Sequence, residues 1–154
     1  MEKGTPETPV FNNLEHVGVV VRDIDKTIEY LTSLGIGSPA AMGGRTSVDV
    51  PFKGEVRGKP SEWGVKIGRI MIGDIELELL QPLEGESVLK EFLENNGEGL
   101  HHIGFKVDDI DAEIQKLTAQ GVNILMSAKT ARGGFAYFET SIFGGVVLEL
   151  RQLQ

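Results

Sequence analysis

The chain has no cysteine among its 154 residues. That excludes disulfides, thiolate zinc sites, iron–sulfur clusters and thiol nucleophiles, and makes the cytoplasm the expected compartment. No apolar run approaches the ~18 residues of a transmembrane helix. The opening MEKGTPETPVFNN lacks the apolar core of a secretory signal. Positive charge is scarce as well, with 15 Lys and Arg against 23 Asp and Glu and a net charge of −8. Phosphate backbones and anionic membranes need a basic face, so neither nucleic acid nor a membrane is an expected partner. A small anion remains open, because a few local cations can hold one. The rest is ordinary for a single globular domain, with 40% hydrophobic and 25% charged residues.

What the chain does have is an internal duplication. His16-Val17-Gly18-Val19-Val20-Val21 matches His102-Ile103-Gly104-Phe105-Lys106-Val107 at an offset of 86 positions. Asp23-Ile24-Asp25 then matches Asp109-Ile110-Asp111, and Ile28, Leu31 and Gly35 match Ile114, Leu117 and Gly121. A second match, Gly73–Leu79 with Gly144–Leu150, lies at an offset of 71, so the first half carries 15 extra residues. These are expected between Ser38 and Trp63, a Gly-, Pro- and charge-rich stretch that reads as a long loop.

Each half reads as one strand, one helix and three strands. HVGVVV and HHIGFKV are short β-branched runs. Asp23 and Asp109 suit helix N-caps, apolar residues follow at helical spacing, and Gly35 and Gly121 fall where a helix should stop. Further strands are expected near 47–50, 65–72 and 75–80, and near 123–125, 135–140 and 146–150. The fold expected is α+β, with two βαβββ modules (about 12–83 and 100–154) forming paired curled mixed sheets. A linker helix over about 86–96 joins them, and residues 1–11 form a flexible arm.

The duplication places His16 and His102 at one position on the two first strands, and Glu78 and Glu149 at one position on the two last strands. Glu is depleted in strands and costly to bury unpaired. If a pseudo-twofold axis relates the modules, the four side chains converge on one cleft and make a divalent metal site. Gly18 and Gly104 share the histidines' face and leave room beside them. Nitrogen and oxygen donors without sulfur suit Zn, Ni, Co, Fe or Mn. A second carboxylate fills a position that oxygen-activating sites keep open, which favours Lewis-acid chemistry. His101, next to His102, is expected on the opposite strand face as a packing or supporting residue.

With these features the chain resembles the vicinal oxygen chelate superfamily, the glyoxalase-like proteins, and within it the methylmalonyl-CoA epimerase branch. The resemblance rests on LEHVGVVVRDIDKTIEYL, SEWGVKI, IELELLQPLEGESVLKEFL, GEGLHHIGFKVDDIDAEIQKL and FGGVVLELRQ. It implies His16, Glu78, His102 and Glu149 as ligands of a Co, Ni, Zn or Mn ion, and a homodimer. The chain departs from some members of that branch, which place a second catalytic Glu where this sequence has Ile67.

The activity so implied is proton abstraction next to a metal-bound thioester carbonyl, epimerising a 2-substituted acyl-CoA such as methylmalonyl-CoA. Glu149 is the first candidate base, with Glu78 opposite. Arg151, sharing the face of Glu149, and the basic loop Lys129–Arg132 are the candidate substrate contacts. A glyoxalase-type lactoylglutathione lyase fits the same ligands. A small-molecule-binding protein of this superfamily is the third reading, and the intact ligand set counts against it.

Overall fold

The first strand of each half forms where the β-branched runs lie. These are β1 (Leu14–Val20) and β6 (Gly99–Lys106) in the computed structural model, which describes residues 11–40, 42–140 and 143–153. Asp23 and Asp109 cap the helices that follow, α1 (Ile24–Ser33) and α3 (Ile110–Ala119), each accepting a backbone N–H at 3.1 Å. Both helices end alike. Gly35 and Gly121 adopt positive φ, and the next residue's N–H reaches back to the carbonyl of Leu31 or Leu117. Only a glycine takes this turn without strain.

Three strands complete each module: β3 (Ser47–Val56), β4 (Lys59–Ile72) and β5 (Ile75–Gly85) in the first, and β7 (Ile124–Thr130), β8 (Gly133–Phe138) and β9 (Val147–Leu153) in the second. A two-residue strand, β2 (Ser38–Pro39), adds to the end of β4. The first strand of each module pairs parallel to its last, β1 with β5 and β6 with β9. The modules join along β1–β6 and β3–β7, both antiparallel, so the sheet closes on itself as a barrel. The linker helix α2 (Val88–Asn96) starts at Ser87, whose hydroxyl accepts from the Lys90 N–H.

The stretch expected to be a long loop is instead mostly a hairpin. β3 and β4 pair continuously from Ser47–Gly68 to Val56–Lys59 and turn at Arg57-Gly58. Both turn residues have positive φ, as a two-residue hairpin turn matching the strand twist requires. Its polar composition hid it, because only three residues of β3 pair with β7 and every second side chain faces solvent. Of the expected flexible arm, residues 1–10 lie outside the described residues. Phe11 packs edge-on against Phe105 and Phe138.

Strand alternation sorts the core. On β4, Ile70 faces outward to Ile24 and Ile28 of α1, while Val65 and Ile67 face into the barrel. In the second module Ile110 and Leu117 of α3 cover Ala136, Phe138 and Leu150. Helices therefore seal the outside of the barrel, and its interior is left for the site.

Candidate metal centre and the cavity beside it

The inward parity of four strands carries the four predicted ligands. His16 on β1, Glu78 on β5, His102 on β6 and Glu149 on β9 each offer an atom, all within 4.8 Å of one another. They come from one chain, so the cluster is complete within a protomer. Glu149 Oε2 lies 2.7 Å from His16 Nε2 and 2.9 Å from His102 Nε2, and Glu78 Oε1 lies 3.5 Å from His102 Nε2. Both histidines are fully buried.

Two glycines make this approach possible. Gly18 opposes His102 across the β1–β6 ladder, and Gly104 opposes His16. A Cβ built on Gly18 would overlap the His102 imidazole, and one on Gly104 the His16 imidazole. The duplicated His-x-Gly is thus a reciprocal cradle, each half making room for the ring of the other.

The residue before each histidine has a matched role. The β1–β6 register shifts at Glu15 and again at His101, so each is the extra residue of a bulge. A bulge breaks strict alternation and re-aims the side chain. Glu15 Oε1 meets His16 Nδ1 at 3.2 Å, and His101 Nδ1 meets His102 Nδ1 at 2.9 Å. His101 therefore sits beside His102 and not on the opposite face, contrary to the simple alternation argument. Burial and the nearby His102 charge lower its pKa to about 3, so it is neutral and can accept the His102 Nδ1–H. With both Nδ1 atoms engaged, both Nε2 atoms point at the carboxylates, carrying a proton between them without an ion and offering a lone pair once a cation displaces that proton.

The donor set fits a divalent cation. The His102 Nε2 is buried and has no partner in hydrogen-bond geometry, despite its nearness to Glu149. Charge supports the same conclusion. Glu15, Glu76, Glu78 and Glu149 gather around two guanidinium groups, Arg69 and Arg151. Two negative charges remain, which one divalent ion or two imidazolium rings would balance. Without an ion the rings take that part. Burial lowers the His16 pKa, but the Glu149 charge and hydrogen bond, with Glu15 and Glu78, raise it to about 10. His102 is raised likewise against its burial by Glu149 and Glu78.

Glu78 and Glu149 also line a cavity of about 300 Å³, whose other walls are largely apolar, among them Val65, Ile67, Leu80 and Phe135. The carboxylates face this space and the histidines stand behind them. Glu78 is bound on its second oxygen, accepting from Arg151 Nη1 at 3.0 Å. Glu149 Oε1 has no hydrogen-bond partner among the described residues, and Glu78 Oε1 comes no nearer than 3.5 Å to His102 Nε2.

Comparison with known proteins agrees with this architecture. The model of the glyoxalase/bleomycin resistance protein/dioxygenase superfamily matches residues 15–138. The chain belongs to that superfamily. It is 30% identical over 150 residues to the mitochondrial methylmalonyl-CoA epimerase of Bos taurus, covering 94% of this chain and 77% of the relative. It is 28% identical over 152 residues to an ethylmalonyl-CoA/methylmalonyl-CoA epimerase of Cereibacter sphaeroides, covering 94% of this chain and all of the relative. The methylmalonyl-CoA epimerase structure from Mycobacterium tuberculosis superposes with a TM-score of 0.63 at 23% identity, over 96% of this chain and 91% of that one. No helix among the described residues is long and apolar enough to cross a membrane.

The remaining residues singled out in this superfamily member are placed unevenly. Ile67 lines the cavity, so the position some epimerases give to a second Glu is an apolar wall here. Arg132 lines the cavity, but Lys129 is 3.0 Å from Asp111 of α3 and is absent from the cavity walls. Their segment is a turn joining β7 and β8, not a free loop. Arg151 is buried, and its guanidinium is engaged by Glu15, Glu76 and Glu78. The bulged Glu15, the network around Glu76, and Arg69 were not foreseen. The one sequence signal for Glu15 was its duplicate position with His101.

Proposed function

We propose that the protein is a metal-dependent epimerase of a 2-substituted acyl-CoA, methylmalonyl-CoA being the model substrate. The observation that carries this reading is Glu149, which shares one oxygen with both imidazoles and has the other unpartnered beside an apolar cavity. A divalent ion held by His16, Glu78, His102 and Glu149 supplies Lewis-acid stabilisation of negative charge on a carbonyl oxygen. The apolar walls exclude water and strengthen that stabilisation. Glu149 is held ionised by His102 and His16 against its burial, so it can take a proton from the carbon next to the carbonyl. Glu78, ionised and steadied by Arg151, is the second carboxylate through which a proton can return. The relatives named as epimerases of methylmalonyl-CoA and ethylmalonyl-CoA support this substrate class.

The test is solvent-deuterium incorporation at the α-carbon of methylmalonyl-CoA by the metal-loaded protein, beside consumption of the methylglyoxal–glutathione adduct. Exchange in the first and none in the second is expected. The reverse pattern would replace the epimerase with a lactoylglutathione lyase.

A further inference from the structure

We infer that Arg69 is a specificity-determining residue of this cavity. It recognises a free carboxylate on the reacting carbon and so selects 2-carboxyacyl thioesters over plain acyl thioesters. This rests on the acyl-CoA reading above and deepens it.

Arg69 lies on β4 directly across from Glu78 on β5, on the inward face that also carries Val65 and Ile67. Side chains directly opposite on one sheet face stand ~4.5–5.5 Å apart at Cβ, so Arg69 sits at the metal end of the cavity. Arg151, buried where Arg69 is only half-buried, is a second cation there, and it is fully engaged by three carboxylates. Arg69 is not. Its Nε is buried without a hydrogen-bond partner, and the nearest carboxylate, Glu76 Oε1, is 3.6 Å away. Glu76 is meanwhile held by Arg151 through its other oxygen.

A guanidinium with unused donors beside an apolar wall calls for a planar anion. A carboxylate matches its fork, and a neutral acyl chain leaves the donors unpaired. Trp63, on the same strand, lines the cavity as well, and its buried Nε1–H also lacks an acceptor. It offers an acceptor on the ligand a second, neutral donor.

Trp63 is the single tryptophan of the chain, so its fluorescence reports occupancy of the cavity. The metal-loaded protein is titrated with malonyl-CoA and with propionyl-CoA, which differ only in the carboxylate, and calorimetry gives the same constants independently. Wild type is expected to bind malonyl-CoA about 10- to 100-fold more tightly. Arg69→Met should bring that ratio near one, with propionyl-CoA affinity little changed. Arg69→Lys should keep part of it, since a point charge replaces the fork. A partner of Glu76 that serves stability alone would shift the melting temperature of the variants and leave the ratio intact. That result overturns the inference, as does equal binding of both thioesters by wild type. Arg69→Lys carries the test should Arg69→Met fail to fold. Binding of neither thioester by wild type would instead remove the acyl-CoA reading itself.

Discussion

The reciprocal glycine cradle can be tested by adding one methyl group. In Gly18→Ala the new Cβ would lie 2.5 Å from His102 Nδ1 and closer still to the far side of the ring. Ordinary contact begins near 3.4 Å, so the imidazole must retreat by about 1 Å or more. Metal–ligand distances tolerate only ~0.2 Å. The ring cannot both clear the methyl group and keep its Nε2 in place. Backbone movement is resisted too, because Gly18 pairs with β5 on one side and β6 on the other. Metal affinity is therefore expected to fall by at least about 100-fold, more than the 10- to 100-fold typical of losing a supporting partner. The overpacking itself should cost about 1–3 kcal/mol of stability. Gly104→Ala should act equally through His16. Gly35→Ala is the control, since its φ of +72° is strained for alanine but no atom lies within 4 Å of the added carbon. It should lose about 1 kcal/mol and keep its metal. Metal content after dialysis, with melts taken with and without metal, reads both quantities. One equivalent of metal held by Gly18→Ala at wild-type affinity would refute the cradle and the role of His102 as a ligand.

Four other outcomes follow from the same geometry. Because the His16 pKa is raised to about 10, metal binding at pH 7.5 should release at least about one proton, with a further contribution from His102, whose pKa is also raised, and affinity should climb with pH toward 10; calorimetry in buffers of different ionisation enthalpy measures this. The same shift means that His16 stabilises the metal-free fold fully below pH 6.5 and loses that contribution as pH rises through about 10. Glu149→Gln should slow α-proton exchange by ~10²–10⁴-fold while the protein stays folded, and full exchange with metal bound would take Glu149 out of the base role. Arg151→Met strands Glu15, Glu76 and Glu78 in a buried pocket, so urea unfolding should show a loss of ~3–5 kcal/mol; Arg57→Met, at an exposed pair with Glu91, should lose no more than ~1 kcal/mol.

Duplication made much of this molecule legible in one dimension. Two histidines and two glutamates at matched positions, with a glycine two residues after each histidine, marked the four residues that the fold gathers before any coordinate. The helix caps and stops were legible for a local reason, since Asp23, Asp109, Gly35 and Gly121 act on backbone groups within a few residues of themselves. The β3–β4 hairpin was not, because an exposed, polar strand pair has no apolar alternation to betray it.

Other features depend on which strands meet, and no local pattern encodes that. Closure of the barrel put four candidate ligands of one chain around a point. The bulges at Glu15 and His101 arise only where β1 and β6 pair, and they turned His101, expected on the opposite face, and the unforeseen Glu15 toward the histidines. Arg151 and Arg69 carry the same charge and lie on the same inward face, yet one is engaged by three carboxylates and the other meets Glu76 alone, at 3.6 Å. That difference belongs to neighbours brought in from distant strands, because electrostatic partners are chosen by distance in space and not by separation along the chain.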